Sequence, residues 1–320
     1  MCSSDLAVRD EIGAPADTPL VVTEGTDPAS LKALTDRTRL VLTTVGPYQL
    51  YGNELVAACA ASGVDYVDLC GEPAWMRQMI DAHEATAKAS GARIVFSCGF
   101  DSIPFDLGVF LLQKEFAQRF GHAAPRVRGR VRKMEGTFSG GTAASLKATM
   151  AAAASQPGVL DLLKNPFSLT PGFEGPRQPS GHKPMVDEAL GDGVWVAPFV
   201  MAAINTRNVH RSNWLLQHAW GQDFVYDEML ITGPGEKGEA MANAIAAAAI
   251  DCEWKASDSI GHATCARQRW VHAHLFVVYR ARVAQFADSV HVGRSIGRWA
   301  DYSARDYHVE FGGRRTRVGG

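Results

Sequence analysis

The hydrophobic pattern between Leu40 and Asp106 passes through one cycle three times: an apolar stretch of strand length, then a loop of glycine and polar residues. The apolar stretches are residues 40–45, 64–69 and 93–98. The loops are Gly46-Pro47-Tyr48, Cys70-Gly71-Glu72 and Gly99-Phe100-Asp101-Ser102. Helix-like segments fill the intervals. Strands alternating with helices build a parallel sheet, whose ligand crevice lies beyond the carboxyl ends of the strands. The pattern therefore predicts all three polar loops on one edge of one sheet.

The breakers agree with that reading. Gly46-Pro47 ends the first stretch, because proline donates nothing to a ladder and glycine permits the turn. Pro28 suits the first turn of a helix over residues 28–35. Asn53 is expected to cap a helix that runs to residue 61 and closes at Gly63, and Gly91 closes another over residues 73–90. Residues 7–12 resemble the last turns of a helix, and residues 19–23 form a β-rich run. With that run the first half has four strands, joined by right-handed helical crossovers.

The texture changes near Pro125. Residues 126–134 alternate, with Val127 and Val131 apolar between Arg126, Arg128, Arg130 and Arg132, which predicts a half-exposed antiparallel strand. A glycine-rich turn at 136–141 leads to an alanine-rich helix over 142–155. Residues 165–184 lack periodicity and hold many Pro and Gly residues, so they read as a long loop. Further strands are expected over 194–204, 208–213 and 224–231. The fold class is thus α/β: a parallel sheet making half or more of a doubly wound, Rossmann-type fold over residues 1–125, followed by a mixed α+β substrate or dimerisation domain over 126–250.

Residues 251–320 stand apart as an atypical tail. There Arg outnumbers Lys ten to one, against 13 to 8 before it, and half of the ten histidines fall in it. Two readings explain this: a basic, aromatic tail that grips an acidic partner, or out-of-frame translation of GC-rich coding sequence.

Composition narrows the function classes. A net charge of −2 over 320 residues provides no basic field for nucleic acid. No apolar run approaches the roughly 18 residues of a membrane span. The N-terminus lacks the charged-then-apolar order of a signal peptide. Six scattered cysteines without a CxxC pair suit free thiols in a reducing, cytoplasmic setting.

Candidate chemistry gathers at the strand ends. Thr43, Thr44, Gly46 and Tyr48 stand at the lip of a central strand, where hydroxyls reach a ribose or phosphate; the plain alternative is a tight turn with Tyr48 packed over the next helix. Glu72 sits at the start of a helix and favours its dipole, while Asp68, on a buried strand, needs partners. Asp101 or Ser102 can cap the following helix, and Asp101 can equally orient substrate or carry protons. Gly233-Pro234-Gly235-Glu236-Lys237-Gly238 matches G-x-G-x-x-G literally. Pro234 removes an N–H and Glu236 adds a negative charge, so it reads as a strand-to-helix turn. Cys252, His262, Cys265, His272 and His274 match no zinc spacing, and no metal site is expected.

The segments TTVGPYQLYG at 43–52, GVDYVDLCGE at 63–72 and CGFDSIPFDLG at 98–108 resemble the saccharopine dehydrogenase-like oxidoreductases, in the branch of the bacterial trans-acting enoyl reductases. GTFSGGTAASLKA at 136–148 and APFVMAAINTRNVHRSNWL at 197–215 agree, and the resemblance covers about residues 7–248. It implies an NAD(P)-binding Rossmann domain, with NADP or NAD in a crevice against the second domain. The family's loop lining the cofactor corresponds to Thr44, Val45, Gly46, Pro47 and Tyr48, and Tyr48, Asp101 and Ser102 are candidate catalytic groups by proximity. The characterised branch reduces a carbon–carbon double bond in polyketide-derived lipids. The expected partners are therefore a small-molecule or lipid-like substrate, a second copy of the chain, and a membrane surface touched peripherally. Family members open with a strand, a G-x-x-G-x-x-G turn, a helix and a second strand, a pattern the first residues here do not follow. A catalytically inactive fragment with a binding or oligomerising role is the alternative expectation.

Overall fold

The computed structural model describes residues 9–132, 140–258, 309–311 and 314–316. The chain divides into two compact units, Met1–Tyr279 and Arg280–Gly320.

The first unit holds two sheets. In the parallel sheet, β1 (Leu40–Thr43), β2 (Asp65–Asp68) and β3 (Ile94–Val95) lie in sequence order, with Leu40 opposite Asp65 and Tyr66 opposite Ile94. The helices of this region are α1 (Pro28–Thr35), α2 (Tyr48–Tyr51), α3 (Asn53–Ser62), α4 (Pro73–Ser90) and α5 (Ile103–Phe120). The Asp27 carboxylate caps α1 by accepting from the Ala29 and Ser30 N–H groups, and Pro28 opens it at no hydrogen-bond cost. Gly63 and Gly91 close α3 and α4 in the left-handed region, at φ 71° and 82°. Leu31, Val41, Val56, Cys59, Tyr66, Trp75 and Met76 make the core, with Phe96 edge-on to both Tyr66 and Trp75.

Two expectations for this half change. Residues 19–23 join no ladder, so the sheet has three strands among the described residues rather than four. Val21 packs on the core while Val22 is 73% exposed, so the run is anchored by one side chain, without ladder bonds. Asn53 is not a cap either. Gly52 precedes α3, where a Cβ would lie 2.6 Å from the Trp75 ring, and the Asn53 side-chain oxygen instead accepts from the Trp75 indole at 2.6 Å.

The second sheet has the order β4 (Arg126–Val131), β7 (Val225–Pro234), β6 (Val194–Pro198), β5 (Met185–Val186). The helices α6 (Gly140–Ser155), α7 (Pro157–Lys164), α8 (Ala202–Leu215) and α9 (Gly235–Asp258) belong to this half. Residues 165–184 form a long loop, as expected, and the alanine-rich helix is present. Val209, Trp220, Phe224 and Tyr226 form its buried cluster with Val109 and Val127.

Here too the structure corrects the pattern. β4 pairs with β7 in parallel, Arg126 opposite Val225 through Val131 opposite Leu230, not antiparallel. Alternation reports that one face of a strand is wet; it carries no information on the direction of the neighbour. Residues 208–213 are helix, not strand, and lie inside α8. The face that α8 buries holds Asn205, Val209 and Asn213 at a spacing of four, with His210 beside them. Three of those four are polar, so the helical period is invisible to a hydrophobicity reading.

In the second unit, β8 (Val309–Phe311) pairs antiparallel with β9 (Arg314–Thr316). Among the described residues no helix is long and apolar enough to cross a membrane.

Candidate functional site

The parallel register aligns the ends of the strands, Thr43 beside Asp68, so the three polar loops share the carboxyl edge of the sheet. They are joined by buried carboxylates. After β1 the chain passes through a cis Gly46–Pro47 peptide into the short helix α2. The first two N–H groups of that helix, Tyr48 and Gln49, donate to the two oxygens of Glu72 at 2.9 Å each. Glu72 makes no side-chain bond to its own helix α4. The negative charge expected at the start of α4 serves the start of α2 instead, from the neighbouring loop.

Asp68, at the end of β2, holds the second and third loops together. Its Oδ1 accepts from the N–H groups of Cys70 (2.9 Å) and Ser97 (2.8 Å), and its Oδ2 from the Tyr66 hydroxyl (2.9 Å). Burial raises this carboxyl to about 6, against the pull of those three hydrogen bonds, and the nearby Glu72 adds to the rise. Ser97 adopts φ 58°, unusual for a residue with a side chain. Its hydroxyl donates to the Cys70 carbonyl at 2.6 Å, which with the Asp68 bond holds the turn.

The candidate residues divide by depth. Tyr48 is buried; its hydroxyl donates to the Thr43 carbonyl at 3.2 Å and accepts from the Leu69 N–H at 3.4 Å. Burial, together with Asp68, pushes this phenol well above its ordinary value. Thr44 is exposed, while Val45, Gly46 and Pro47 are half-buried. Helix α6 flanks this loop: Gln49 Nε2 donates to Thr149 Oγ1 at 3.2 Å, and a Cβ on Gly46 would lie 3.5 Å from Ser145 Oγ. A cavity of about 110 Å³ opens between Gln49, Glu72, Trp75 and Thr149. A larger hollow, about 520 Å³ and lined by Arg39, Asp65 and Arg93, lies at the opposite, amino edge of the sheet.

Asp101 and Ser102 precede α5. Asp101 is half-buried, and loss of solvent raises its carboxyl above the usual range. Ser102 is buried at the N-cap position but makes no side-chain capping bond; its hydroxyl donates to Asn205 Oδ1 on α8 at 2.8 Å. Asn205 Nδ2 donates to the Asp101 carbonyl (2.9 Å) and to Glu228 Oε2 on β7 (3.0 Å), and Glu228 Oε1 accepts from the Tyr226 hydroxyl at 2.7 Å. Asn205, Tyr226 and Glu228 escaped the sequence reading because they lie more than a hundred residues from Ser102. The one local signal was Tyr226-x-Glu228, an i, i+2 polar pair on the face of a buried strand.

The literal glycine motif sits at the junction of β7 and α9. A Cβ on Gly238 would lie 2.0 Å from the Gly233 carbonyl oxygen, so the turn closes on itself, with no room for a phosphate there. This is the strand-to-helix turn that was expected. Cys59, Cys70 and Cys98 are free thiols. Among the described residues no cluster of three His, Cys, Asp or Glu side chains is placed to hold a metal ion. His262, Cys265, His272 and His274 lie outside the described residues.

No protein-family model matches the chain. It is 42% identical over 236 residues to a Mycobacterium tuberculosis (strain ATCC 25618 / H37Rv) protein named for the trans-acting enoyl reductases, covering 71% of this chain and 56% of that one. It is 39% identical over 254 residues to the trans-acting enoyl reductase of Mycobacterium ulcerans (strain Agy99), covering 76% and 59%. With the trans-acting enoyl reductase of Mycobacterium leprae (strain TN) it shares 37% identity over 243 residues, covering 73% and 56%. The chain thus spans little more than half the length of these relatives.

Proposed function

We propose that this chain carries part of an NAD(P)H-dependent enoyl reductase of saccharopine dehydrogenase-like type, acting on a lipid or polyketide-type substrate. The observation that carries the reading is the convergence of the three polar loops on one edge of a parallel sheet, in a chain 42% identical over 236 residues to the first of the named relatives. That edge fits the nicotinamide end of a dinucleotide. It offers a partly exposed lip at Thr44, Val45, Gly46 and Pro47 and the half-buried carboxyl of Asp101, next to the buried Ser102. For the pyrophosphate, no glycine-rich turn follows a strand of this sheet among the described residues.

The cofactor supplies the hydride that adds to one carbon of the double bond; a proton must reach the other. Asp101 is the group assigned to hold that proton, since its half-buried carboxyl keeps one to higher pH than an exposed aspartate does. Tyr48 serves in this scheme by holding the lip: its hydroxyl bridges the end of β1 to the loop after β2. Residues 1–125 would bind the cofactor and residues 126–250 the substrate or a second copy.

Titration of the chain with NADH and NADPH, followed by nucleotide fluorescence or calorimetry, tests the reading. Saturable submillimolar binding is expected. Absence of binding to both would overturn it and favour a chain with a binding or oligomerising role alone.

A further inference from the structure

We infer that Asn205 is the positioning residue of the candidate site, and that it presents Ser102 to a ligand as a hydrogen-bond acceptor. The inference rests on the cofactor reading above and deepens it. The Asn205 amide is bonded on three sides: to the Asp101 carbonyl, to Glu228 Oε2 and to Ser102 Oγ. A peptide carbonyl can only accept, so the amide nitrogen must lie on the Asp101 side and the amide oxygen must face Ser102. That oxygen also can only accept. The Ser102 hydroxyl hydrogen is therefore committed to Asn205, whatever the protonation of Glu228.

An N-cap serine ordinarily accepts from the N–H groups of its own helix, and Ser102 makes no such bond. Its lone pairs are what it has left for a ligand. The amide cannot turn to release it, because the second sheet holds the far side. Glu228 takes one hydrogen from Asn205 and another from Tyr226, all three being buried. Gly129 of β4 closes over them, where a Cβ would lie 2.8 Å from Glu228 Cγ and 2.9 Å from the Tyr226 hydroxyl. A group that meets Ser102 must bring its own hydrogen. Beside Asp101, the donor that a nicotinamide ring brings is its carboxamide NH₂, and we assign Ser102 to it. Ser102 is then an orienting group, and Asp101 alone is left to hold the proton.

The experiment compares whichever of NADH or NADPH binds with its 3-acetylpyridine analogue, which lacks the amide hydrogens. Both are titrated against the unaltered chain, Ser102→Ala, Asn205→Ala and the double variant. The unaltered chain is expected to prefer the carboxamide by about tenfold, the size of one good hydrogen bond. Each single variant should lose that preference, and the double variant should be no worse than either. If Asn205→Ala keeps the preference, or the two losses add, the inference falls while the cofactor reading stands. An unaltered chain that binds neither NADH nor NADPH overturns both. Tyr226→Phe, which removes one hydroxyl, serves if Asn205→Ala does not fold. A preference lowered about threefold supports the chain of bonds, and an unchanged preference overturns it.

Discussion

The parallel sheet and the mixed sheet are both flanked by helices, yet they bury different chemistry. The interior of the first is apolar, built on Leu31, Val56, Tyr66 and Trp75, and its buried carboxylates Asp68 and Glu72 stand at strand ends. Backbone N–H groups donate to them, two for each, and the Tyr66 hydroxyl adds a third bond to Asp68. The second sheet carries charge on the strands themselves. Arg130 of β4 pairs with Asp187 at 2.5 Å and with Asp227 of β7 at 2.8 Å, and Glu228 follows Asp227. On α8, Arg207 is buried against the carbonyls of Leu163 and Ala203 and the hydroxyl of Ser168, and burial lowers it to about 10. His210, also buried, drops to about 4. The difference is one of task. Carboxylates held by backbone amides fix the shape of loops; carboxylates held by side chains fix one element against another. The candidate site uses both, since its loops are shaped by Asp68 and Glu72 while Ser102 is aimed from β7 through Asn205.

Removing one member of the charged cluster should expose the contrast most strongly. Arg130→Met leaves Asp187 and Asp227 buried without their shared cation, and is expected to cost about 3–5 kcal/mol in denaturant unfolding. A loss below about 1 kcal/mol would show that the buried ion pairs do not hold the second sheet together.

The next effect is a pH dependence. Burial raises Glu228 to about 7 and Asp68 to about 6, so the folded chain holds these protons more tightly than the unfolded one. The stability they contribute is complete below about pH 4 and is lost as pH rises through 6 and 7. Asp65 and Asp187, held low by Arg93 and Arg130, act in the opposite sense at more acid pH. Glu228→Gln should therefore flatten the decline between pH 5 and 8 by on the order of 3 kcal/mol, leaving the part due to Asp68. A decline of unaltered slope in that variant would assign it to the first sheet.

Smaller effects belong to the strand ends. Glu72→Gln retains one acceptor for the two N–H groups of α2 and should cost about 1–2 kcal/mol, seen as a lower melting temperature and faster amide exchange at Tyr48 and Gln49. Asp27→Ala removes an exposed cap whose side chain bonds only within its own helix, and is expected to cost about 1 kcal/mol without changing nucleotide binding. If Glu72→Gln were as mild as Asp27→Ala, the stitched edge would be no more than an ordinary helix start.

Much of the first half was legible because its rules are local. Apolar runs broken by Gly46-Pro47, Gly71 and Gly99 mark parallel strands and their loops, and Gly63 and Gly91 mark helix ends. Legibility failed where the buried face is polar, as on α8, and where pairing direction mattered, as for β4. It failed again for residues 19–23, whose β-rich composition has no neighbour to pair with in the described structure. Of the candidate site, the sequence pattern located the strand-end residues but not the partners that hold them.

Taken alone, the amino-acid sequence determined the three strand–loop cycles and therefore that their polar loops share one edge, because side-chain period and backbone breakers act over a few residues. Only the tertiary structure decided that Glu72 serves α2, that Asp68 holds the left-handed turn at Ser97, and that Asn205, itself held by Glu228, takes the hydrogen of Ser102. Those are bonds between residues 23 to 103 positions apart. Their geometry exists only once the strands of the first sheet lie side by side and α8 and β7 have packed against them.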